Sequence, residues 1–281
     1  MKSIVVGIDF QNQSYAAMKF AVNMAIKVNC YVMLVFVNKP DKSKDIFQRP
    51  KSKIYEEVEA RFINLVEKYS DILDKNRFSY KIREGKIPEE LDRQAVESRA
   101  EMIVVGTHGN TGIKLFSSSL AFEIVEKSAI PVVTIKDGAH INTEIKTILV
   151  PIDATLESRQ KVPFTVRLAK IYNAEVHMLA MYHSKVKMVK ENIISYTRQA
   201  AEYLERQQVN FIVKSVETDD IVQTTIDYSE DINADLISSM TVQVSSASNL
   251  WKGTFAEQLI TKSHIPVLNI QPKELIMTMS R

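Results

Sequence analysis

KSIVVGID, residues 2–9, recurs later in the chain as KTILVPID, residues 146–153. Each copy is a short apolar run that ends at an aspartate, and such a run predicts a buried strand. Three further blocks match in the same order: residues 25–37 with 169–181, residues 100–107 with 234–241, and residues 126–135 with 261–270. The sequence is therefore a tandem duplication, and each copy has the length of an ordinary domain.

Composition excludes several classes of protein. Apolar residues make up 45% and charged residues 25% of the chain, which is the balance of a soluble protein with a core. The formal net charge of +2 is too close to neutral for the basic stripe of a general nucleic-acid binder. Cys30 is the single cysteine, and no apolar run is long enough for a signal peptide or a membrane span. We therefore expect a cytoplasmic protein with no nucleic-acid or membrane partner.

Apolar, β-branched runs alternate with amphipathic, helical runs along each copy. The first copy reads β-α-β-α-β-α-β-α-β, and this alternation predicts right-handed crossovers and a parallel sheet. The expected fold class is α/β, with two tandem, doubly wound, parallel five-stranded sheets that carry helices on both faces. We place the first domain at residues 1–137, a polar linker at 138–145, the second domain at 146–271 and a tail at 272–281.

The last strand of each copy is expected to bring the two copies together. An exposed edge strand pairs readily with another strand. The runs VVTIK, residues 132–136, and VLNIQ, residues 267–271, should therefore meet near a pseudo-twofold axis. This pairing predicts a pseudo-dimer within one chain, and a further homodimer of two chains is compatible with it.

The glycines of the first copy cluster where a parallel sheet binds its ligands. Gly106, Gly109 and Gly112 lie between the apolar run EMIVV and a helical run, although the whole chain has only seven glycines. Glycine permits positive φ and close approach to a ligand, and successive amides in such a loop can hold phosphate oxygens. The serines at 117–119 begin the next helix, either as its N-cap or with a hydroxyl directed at a phosphate. Ordinary turn formation is the alternative for the glycines.

Both copies resemble domains of the universal stress protein family. The resemblance rests on IVVGID and ILVPID at the first strand, on GTHG after the fourth strand, and on IPVVTI and IPVLNI at the end. It covers the chain outside the linker and the last ten residues. It implies an adenine-nucleotide alpha hydrolase-like fold. It also implies a stress-response protein that binds ATP or AMP, with or without Mg²⁺, and that is not an established enzyme.

Nucleotide-binding members of the family carry Gly-x2-Gly-x9-Gly-Ser/Thr, and the resemblance transfers this motif to the first copy. It implies nucleotide contacts for six residues: Gly106, Thr107, His108, Gly109, Ser118 and Ser119. Ser118 replaces the third glycine of the motif, and only eight residues separate the two parts. The resemblance also implies that Asp9 lies near the adenosine and that the Val37 backbone meets the adenine edge. From the residues alone, Asp9 also suits an N-cap of the next helix, and His108 suits a residue that orders its loop.

The second copy departs from this motif. Met240 and Gln243 stand where Gly106 and Gly109 stand in the first copy. Two bulky side chains would block a phosphate-binding loop, so we predict that the second domain is degenerate. A candidate second site would use the residues that remain: Asp153, Gly253 and Thr254. The aspartate equally suits a helix cap, and the glycine suits a tight helix entry.

The sequence thus predicts a stress-response regulatory or binding protein whose first domain binds ATP or AMP. The alternative is a universal stress protein that binds no nucleotide and acts through protein–protein contacts. An enzyme of the related hydrolase group would need a Ser/Gly-rich loop after the first strand, and GIDFQNQS and PIDATLES provide none. We identify no catalytic residue and no metal-ligand spacing. At most, weak ATP hydrolysis is expected.

Overall fold

The computed structural model of the chain describes residues 2–39, 51–108, 117–182, 187–241 and 254–272. Strands and helices alternate in both copies, so the predicted β-α order is confirmed. The first copy contains β1 (Ser3–Gly7), α1 (Asn12–Val28), β2 (Tyr31–Asn38), α2 (Lys51–Tyr69), β3 (Phe78–Glu84), α3 (Ile87–Glu97), β4 (Ala100–Thr107), α4 (Ser118–Lys127) and β5 (Val132–Lys136). The second copy contains β6 (Thr147–Ile152), α5 (Val162–Tyr172), β7 (Glu175–Tyr182), α6 (Lys187–Arg206), β8 (Phe211–Glu217), α7 (Ile221–Asp231), β9 (Leu236–Met240), α8 (Phe255–Lys262) and β10 (Val267–Ile270). Two short 3-10 helices add to these elements: Lys75–Arg77 and Leu156–Arg159.

These ten strands form a single sheet in the order β3-β2-β1-β4-β5-β10-β9-β6-β7-β8. Neighbouring strands within each copy are parallel. The strands β5 and β10 pair antiparallel, with Val133 opposite Leu268. The two predicted five-stranded sheets are therefore the halves of one ten-stranded sheet. They join at the two Pro-Val runs, near a pseudo-twofold axis, as expected.

Helices cover both faces of this sheet. Side chains alternate between the faces along each strand, so Val104 belongs to the core beneath α1 and its neighbour Val105 to the core beneath α3 and α4. The helices α1, α2, α5 and α6 lie over one core that runs across both copies. The other helices lie over two separate cores. Full burial of one large aliphatic side chain contributes about 1.5–3 kcal/mol, so the shared core couples the folding of the two halves.

One asparagine that the copies share ends the first helix of each copy. Asn29 follows α1 with φ 49°, and Asn173 follows α5 with φ 54°, both in the left-handed region. Their backbone N–H groups donate to the carbonyl oxygens of Ala25 and Ala169, which closes the last helical turn. Asparagine visits this conformation more readily than most residues that carry a Cβ. The shared asparagine is therefore a helix stop.

Candidate functional site

Each copy has a topological switch point at the carboxyl ends of its first and fourth strands. The first copy has the strand order β3-β2-β1-β4-β5, so the chain leaves β1 to one side for β2 and later returns to the other side for β4. In open α/β sheets, ligands bind in the crevice that opens at this point. Because Gly7 pairs with Val105, the residues that follow these two positions meet at the first crevice.

Asp9 follows β1 and organises the start of α1. Its side chain is buried, and both carboxylate oxygens accept hydrogen bonds. The Gln11 N–H donates to Oδ1 at 3.0 Å, and Gln13 Nε2 donates to Oδ2 at 3.0 Å. The first of these bonds forms an Asx turn. Gln11 is the N-cap of α1 and makes no cap bond with its own side chain, so Asp9 supplies the capping carboxylate from outside the helix.

The residue between Asp9 and the helix has an unusual backbone. Phe10 has φ 59°, a conformation that bulky side chains rarely adopt. Its ring is buried, with its centroid 5.8 Å from that of Phe36 and 5.2 Å from that of Phe62. Aromatic packing therefore holds a backbone that costs about 1–3 kcal/mol, and it does so beside the crevice.

Gly106 is required by the helix and not by a positive φ. A Cβ built on this residue would lie 2.1 Å from the Gln13 carbonyl oxygen and 2.3 Å from the carbonyl carbon. Among the described glycines, only Gly85 and Gly138 have positive φ. The space that a side chain at residue 106 would need is therefore occupied by the protein itself, and the nucleotide contact of the Gly106 backbone stays a prediction. The group that approaches so closely is the first turn of α1.

Three buried side-chain atoms at the crevice have no hydrogen-bond partner within the described part of the chain: Gln13 Oε1, Thr107 Oγ1 and His108 Nε2. Gln13 and Thr107 are 0% exposed, and His108 is 6% exposed. The bond from Gln13 Nε2 to Asp9 sets the amide plane and leaves Oε1 as a fixed acceptor. Buried polar groups are nearly always satisfied by the protein or by water. These three atoms are therefore where a ligand could supply the missing partners.

The serines before and within α4 act mainly on the helix itself. Ser117 is the N-cap of α4, and its Oγ accepts from the Leu120 N–H at 3.2 Å. The buried Ser118 hydroxyl donates to the His108 carbonyl oxygen at 2.8 Å, which ties the helix to the end of β4. Ser119 is exposed, and its Oγ lies 3.0 Å from Ser117 Oγ. The expected phosphate contact of Ser118 therefore competes with a bond inside the protein.

Val37 lies where β2 extends beyond β1. The Ile8 N–H donates to the Val35 carbonyl oxygen at 2.9 Å, so Val35 directs its main chain toward the first strand. Alternate residues of a strand hydrogen-bond on the same side. Val37 therefore directs its amide and carbonyl toward the side on which β1 has ended, while its side chain is buried in the core beneath α3. Gly109, the remaining residue of the predicted site, lies outside the described residues.

The crevice of the second copy, between β6 and β9, is built differently. Met240 is fully buried at the end of β9 and takes the position that Gly106 has in the first copy. A side chain there is incompatible with a helical turn placed like the first turn of α1. The helix α1 begins at Asn12, whereas α5 begins only at Val162, and the 3-10 helix Leu156–Arg159 takes the place of the missing turn.

Asp153 keeps the turn-forming part of the role of Asp9. Its Oδ1 accepts from the Thr155 N–H at 2.8 Å and from the Thr155 hydroxyl at 2.6 Å. Its own N–H donates to Ser158 Oγ at 3.1 Å. Thr254 is the N-cap of α8, and its Oγ1 accepts from a backbone N–H at 3.2 Å. Gly253 lies outside the described residues. The described members of the candidate second site therefore each serve the start of a helix or turn.

Lys161 is a residue that sequence reasoning missed. It is fully buried, and its Nζ has no hydrogen-bond partner in the ranges that the structure describes. Burial lowers the pKa of the Lys161 ammonium group to about 8, and the charge of Asp153 offsets only part of this effect. In the repeat, Lys161 falls on Ala17, which lies in the core beneath α1. A lysine aligned with a core alanine was the available signal.

The described residues also bear on metals and membranes. No group of three or more His, Cys, Asp or Glu side chains in the described ranges is placed to hold a metal ion. None of the helices in those ranges is long and apolar enough to cross a membrane.

Comparison with known proteins identifies the family. The universal stress protein family matches residues 1–136 and again residues 144–271. No curated protein matches the chain. Among solved structures, a universal stress protein from Archaeoglobus fulgidus is 16% identical, with a TM-score of 0.73, and the match covers 97% of both chains. A putative universal stress protein from Pseudomonas aeruginosa is 14% identical, with a TM-score of 0.63, and the match covers 96% of this chain and 93% of that one.

A shorter universal stress protein from Archaeoglobus fulgidus, solved in complex with dAMP, is also similar. It is 14% identical, with a TM-score of 0.35, and the match covers 46% of this chain and 98% of that one. At such identities the structural matches show the fold alone. The family itself is shown by the two sequence matches, which together span almost the whole chain. The chain therefore belongs to the universal stress protein family and carries two of its domains in tandem.

Proposed function

We propose that the first domain binds an adenine nucleotide, ATP or AMP, and that the chain is a stress-response protein that acts through this ligand. Membership of the family supports the stress-response class. The main support for nucleotide binding is one observation. The buried atoms Gln13 Oε1, Thr107 Oγ1 and His108 Nε2 have no hydrogen-bond partner among the described residues. They lie at the switch point, where α/β sheets bind nucleotides.

The energetic argument is one of unsatisfied polar groups. A buried polar atom without a hydrogen bond costs about 1–3 kcal/mol. Three such atoms near the ends of β1 and β4 would together cost several times more than a typical single hydrogen bond contributes. A nucleotide carries ribose hydroxyls that donate, and ribose and phosphate oxygens that accept. It can therefore offer partners to an amide oxygen, a hydroxyl or an imidazole nitrogen.

Each group has a suitable part of the ligand. The main chain of Val37 offers an amide and a carbonyl to the edge of an adenine. Gln13 Oε1, held in place through Asp9, is an acceptor for a ribose hydroxyl. His108 and the amino-terminal turn of α4 are the groups that we propose for a phosphate, because the first N–H groups of a helix carry partial positive charge.

The second domain is proposed not to bind nucleotide in this way. Met240 fills the position of the glycine, and the first helical turn is replaced by the 3-10 helix Leu156–Arg159. The counterpart of the buried Gln13 is Glu157, a half-buried residue of that 3-10 helix, so no buried amide oxygen stands at this position. This asymmetry predicts one nucleotide per chain.

The test uses a matched pair of valine variants. Thr107→Val keeps the shape of the side chain and removes a hydroxyl that has no partner in the described chain. Thr241 is its counterpart at the end of β9, and its Oγ1 donates to the Ile270 carbonyl oxygen at 3.2 Å. In calorimetric titrations with AMP and with ATP, with and without Mg²⁺, we expect Thr107→Val to weaken binding about tenfold, the equivalent of about 1.4 kcal/mol. Thr241→Val should leave affinity unchanged.

Two results would contradict the proposal. The first is no binding of either nucleotide by the unmodified chain at millimolar concentration. The second is an equal loss in both variants, which would show that the change acts through stability and not through contact with the ligand.

A universal stress protein that binds no nucleotide is the second candidate. It is favoured by the bonds that already engage both oxygens of Asp9 and the hydroxyl of Ser118. Under this reading the chain acts through protein–protein contacts, and mass spectrometry of the native protein would detect no retained adenine nucleotide. Neither candidate includes catalysis beyond weak ATP hydrolysis, which phosphate-release assays would measure.

A further inference from the structure

The seam between β5 and β10 carries two grooves that the pseudo-twofold axis relates. The first groove is filled by the linker between the copies. Ala139 and Ile141 of the linker pack against the core that both copies share. The His140 N–H donates to the His264 carbonyl oxygen at 3.3 Å, which fixes the linker beside the start of β10.

Polar contacts hold the next part of the linker. Asn142 Nδ2 donates to Asp235 Oδ1 at 2.6 Å, at the start of β9. Glu144 accepts from Lys27 Nζ at 2.7 Å, near the end of α1. The linker thus has a built seat that runs from the loop before β10, past the start of β9, to the end of α1.

The described residues leave a groove of about 560 Å³ at the related place. Its lining identifies it as the counterpart, because three of its residues correspond in the repeat to residues that the linker contacts: Glu101 to Asp235, Ala129 to His264, and Arg167 to Asn23. A second cavity of about 220 Å³ shares Glu101 and Arg167 with the groove and extends it to Ile171. Ile171 is the counterpart of Lys27, so the two cavities trace the same path as the linker's seat.

The segment that follows β10 corresponds to the linker that follows β5. Gln271 lines the groove, and its Nε2 donates to the Val125 carbonyl oxygen at 2.8 Å. Beyond it, the repeat extends without a gap: Leu275 falls on His140, Ile276 on Ile141, Thr278 on Thr143, and Arg281 on Lys146. We propose that residues 273–281 dock in the second groove of their own chain, as the linker docks in the first. This inference is independent of the proposed nucleotide site.

The differences between the two segments match the differences between the two grooves. Asn142 of the linker donates to an aspartate, whereas its counterpart Met277 has no donor. The second groove does not require one. Glu101 there already accepts from Lys2 Nζ and from Arg167 Nη2, both at 2.8 Å.

A second pair of changes is matched in the same way. In the first groove, Glu144 forms an ion pair with Lys27. Their counterparts are Met279 and Ile171, so an ion pair is replaced by two apolar side chains. Paired replacements of this kind favour the chain's own segment over an unrelated partner as the occupant, because each side of the contact has changed to suit the other.

Disulfide trapping in the full-length chain tests the proposal. The contact between His140 and His264 predicts that Leu275 lies beside Ala129, within reach of a disulfide. The test variant is Ala129→Cys with Leu275→Cys, exposed to oxidised glutathione, and the readout is the intrachain disulfide seen by intact mass. Cys30 should not interfere, because burial raises the pKa of its thiol to about 11.

Two matched pairs calibrate the rate. The positive control is His140→Cys with His264→Cys, across the groove that the linker fills. The negative control is His264→Cys with Leu275→Cys, which pairs the same tail position with the pseudo-equivalent position across the seam. We expect the test pair to form its disulfide at a rate close to that of the positive control and at least about tenfold faster than the negative control, because docking raises the local concentration of the two thiols.

Adding Ile276→Asp to the test pair should remove this advantage, because it puts a carboxylate on the docking segment and leaves every residue of the described part of the chain unchanged. A test pair that reacts no faster than the negative control would overturn the proposal. A disulfide that forms mainly between chains at low micromolar protein would also overturn it, and would assign the groove to a second copy. Equal rates with and without Ile276→Asp would overturn it as well, because the disulfide would then not report docking of the segment.

Discussion

The carbonyl oxygen of Gln13 lies so close to Gly106 that one added carbon on the glycine would be 2.1 Å away from it. Contacts under 3.0 Å are essentially never made by a real Cβ, and here the neighbour is backbone, which cannot rotate away. The first turn of α1 and the end of β4 therefore fit together only because residue 106 has no side chain.

Gly106→Ala should destabilise the protein by about 2–4 kcal/mol, because α1 must shift to admit the methyl group. Urea unfolding monitored by circular dichroism measures the loss. Gly138→Ala is the control, since this glycine has φ +76° but nothing within 4 Å of an added Cβ. This substitution should lower the free energy of unfolding only by the cost of placing an alanine in the left-handed region, about 1 kcal/mol. A Gly106→Ala variant no less stable than the control would contradict the packing argument.

Thr107, at the end of β4, and Thr241, directly after β9, should respond in opposite directions to replacement by valine. Thr107→Val replaces an unsatisfied hydroxyl with a methyl group, so the ligand-free protein should keep or gain stability, by up to about 1 kcal/mol. Thr241→Val removes a hydrogen bond to Ile270 and should lose about 1 kcal/mol. Urea unfolding without nucleotide tests both. A clear loss of stability in Thr107→Val would mean that its hydroxyl has a partner after all.

The fold could be predicted from the sequence because its signals are local and are written twice. Apolar runs of strand length, amphipathic runs between them and the repeated Pro-Val ends predict ten strands and the pairing of β5 with β10. The asparagine that both copies share, Asn29 and Asn173, also has a local explanation, because it ends a helix in each copy. What the strand pattern leaves open is that the two predicted sheets are continuous, since this depends on the antiparallel register at the seam.

Lys161 should make stability depend on pH above neutrality. Its pKa is lowered from 10.5 to about 8 in the folded protein, so the unfolded chain binds more protons between these two values. The free energy of unfolding therefore rises as the pH rises from 8 to 10.5, and the full penalty, about 3 kcal/mol, is present below pH 8. Lys161→Met should raise stability at pH 7 by a similar amount and abolish the rise.

The control for this experiment lies on the same helix. Lys170→Met changes an exposed lysine of α5, so it removes one charge but leaves the buried ammonium in place. It should retain the rise in stability between pH 8 and 10, measured by urea unfolding at several pH values. The same pH profile for Lys161→Met and Lys170→Met would contradict this prediction. It would mean that the Lys161 ammonium group is solvated or paired in the folded protein.

The asparagine stop of α1 gives a fourth prediction. Asn29→Ala places an alanine at φ 49° and should cost about 1 kcal/mol, whereas Asn29→Gly should be neutral within a few tenths of a kcal/mol. Thermal unfolding of the two variants distinguishes the backbone conformation from the loss of the side chain. Equal losses in both variants would assign the effect to the asparagine side chain instead.

The candidate site was less predictable than the fold because its contacts are not local in sequence. Gly106 predicts a close approach to the backbone, and the group that lies there is Gln13, on an element far from Gly106 along the chain. Ser118 is engaged by the carbonyl of His108, which pattern reasoning could not anticipate. Lys161 was missed because the altered start of α5 follows from the bulk of Met240, a three-dimensional consequence of one substitution.

The covalent join across the β5–β10 seam has an evolutionary consequence. In a dimer of identical subunits, every substitution is carried by both partners at once, so a change that disables one crevice disables both. Here the two halves share one polypeptide, and dilution cannot separate them. One half is therefore free to acquire a methionine at 240 and a lysine at 161 while the other retains its glycine. Fusion has turned a symmetric pair into two positions that selection can treat independently.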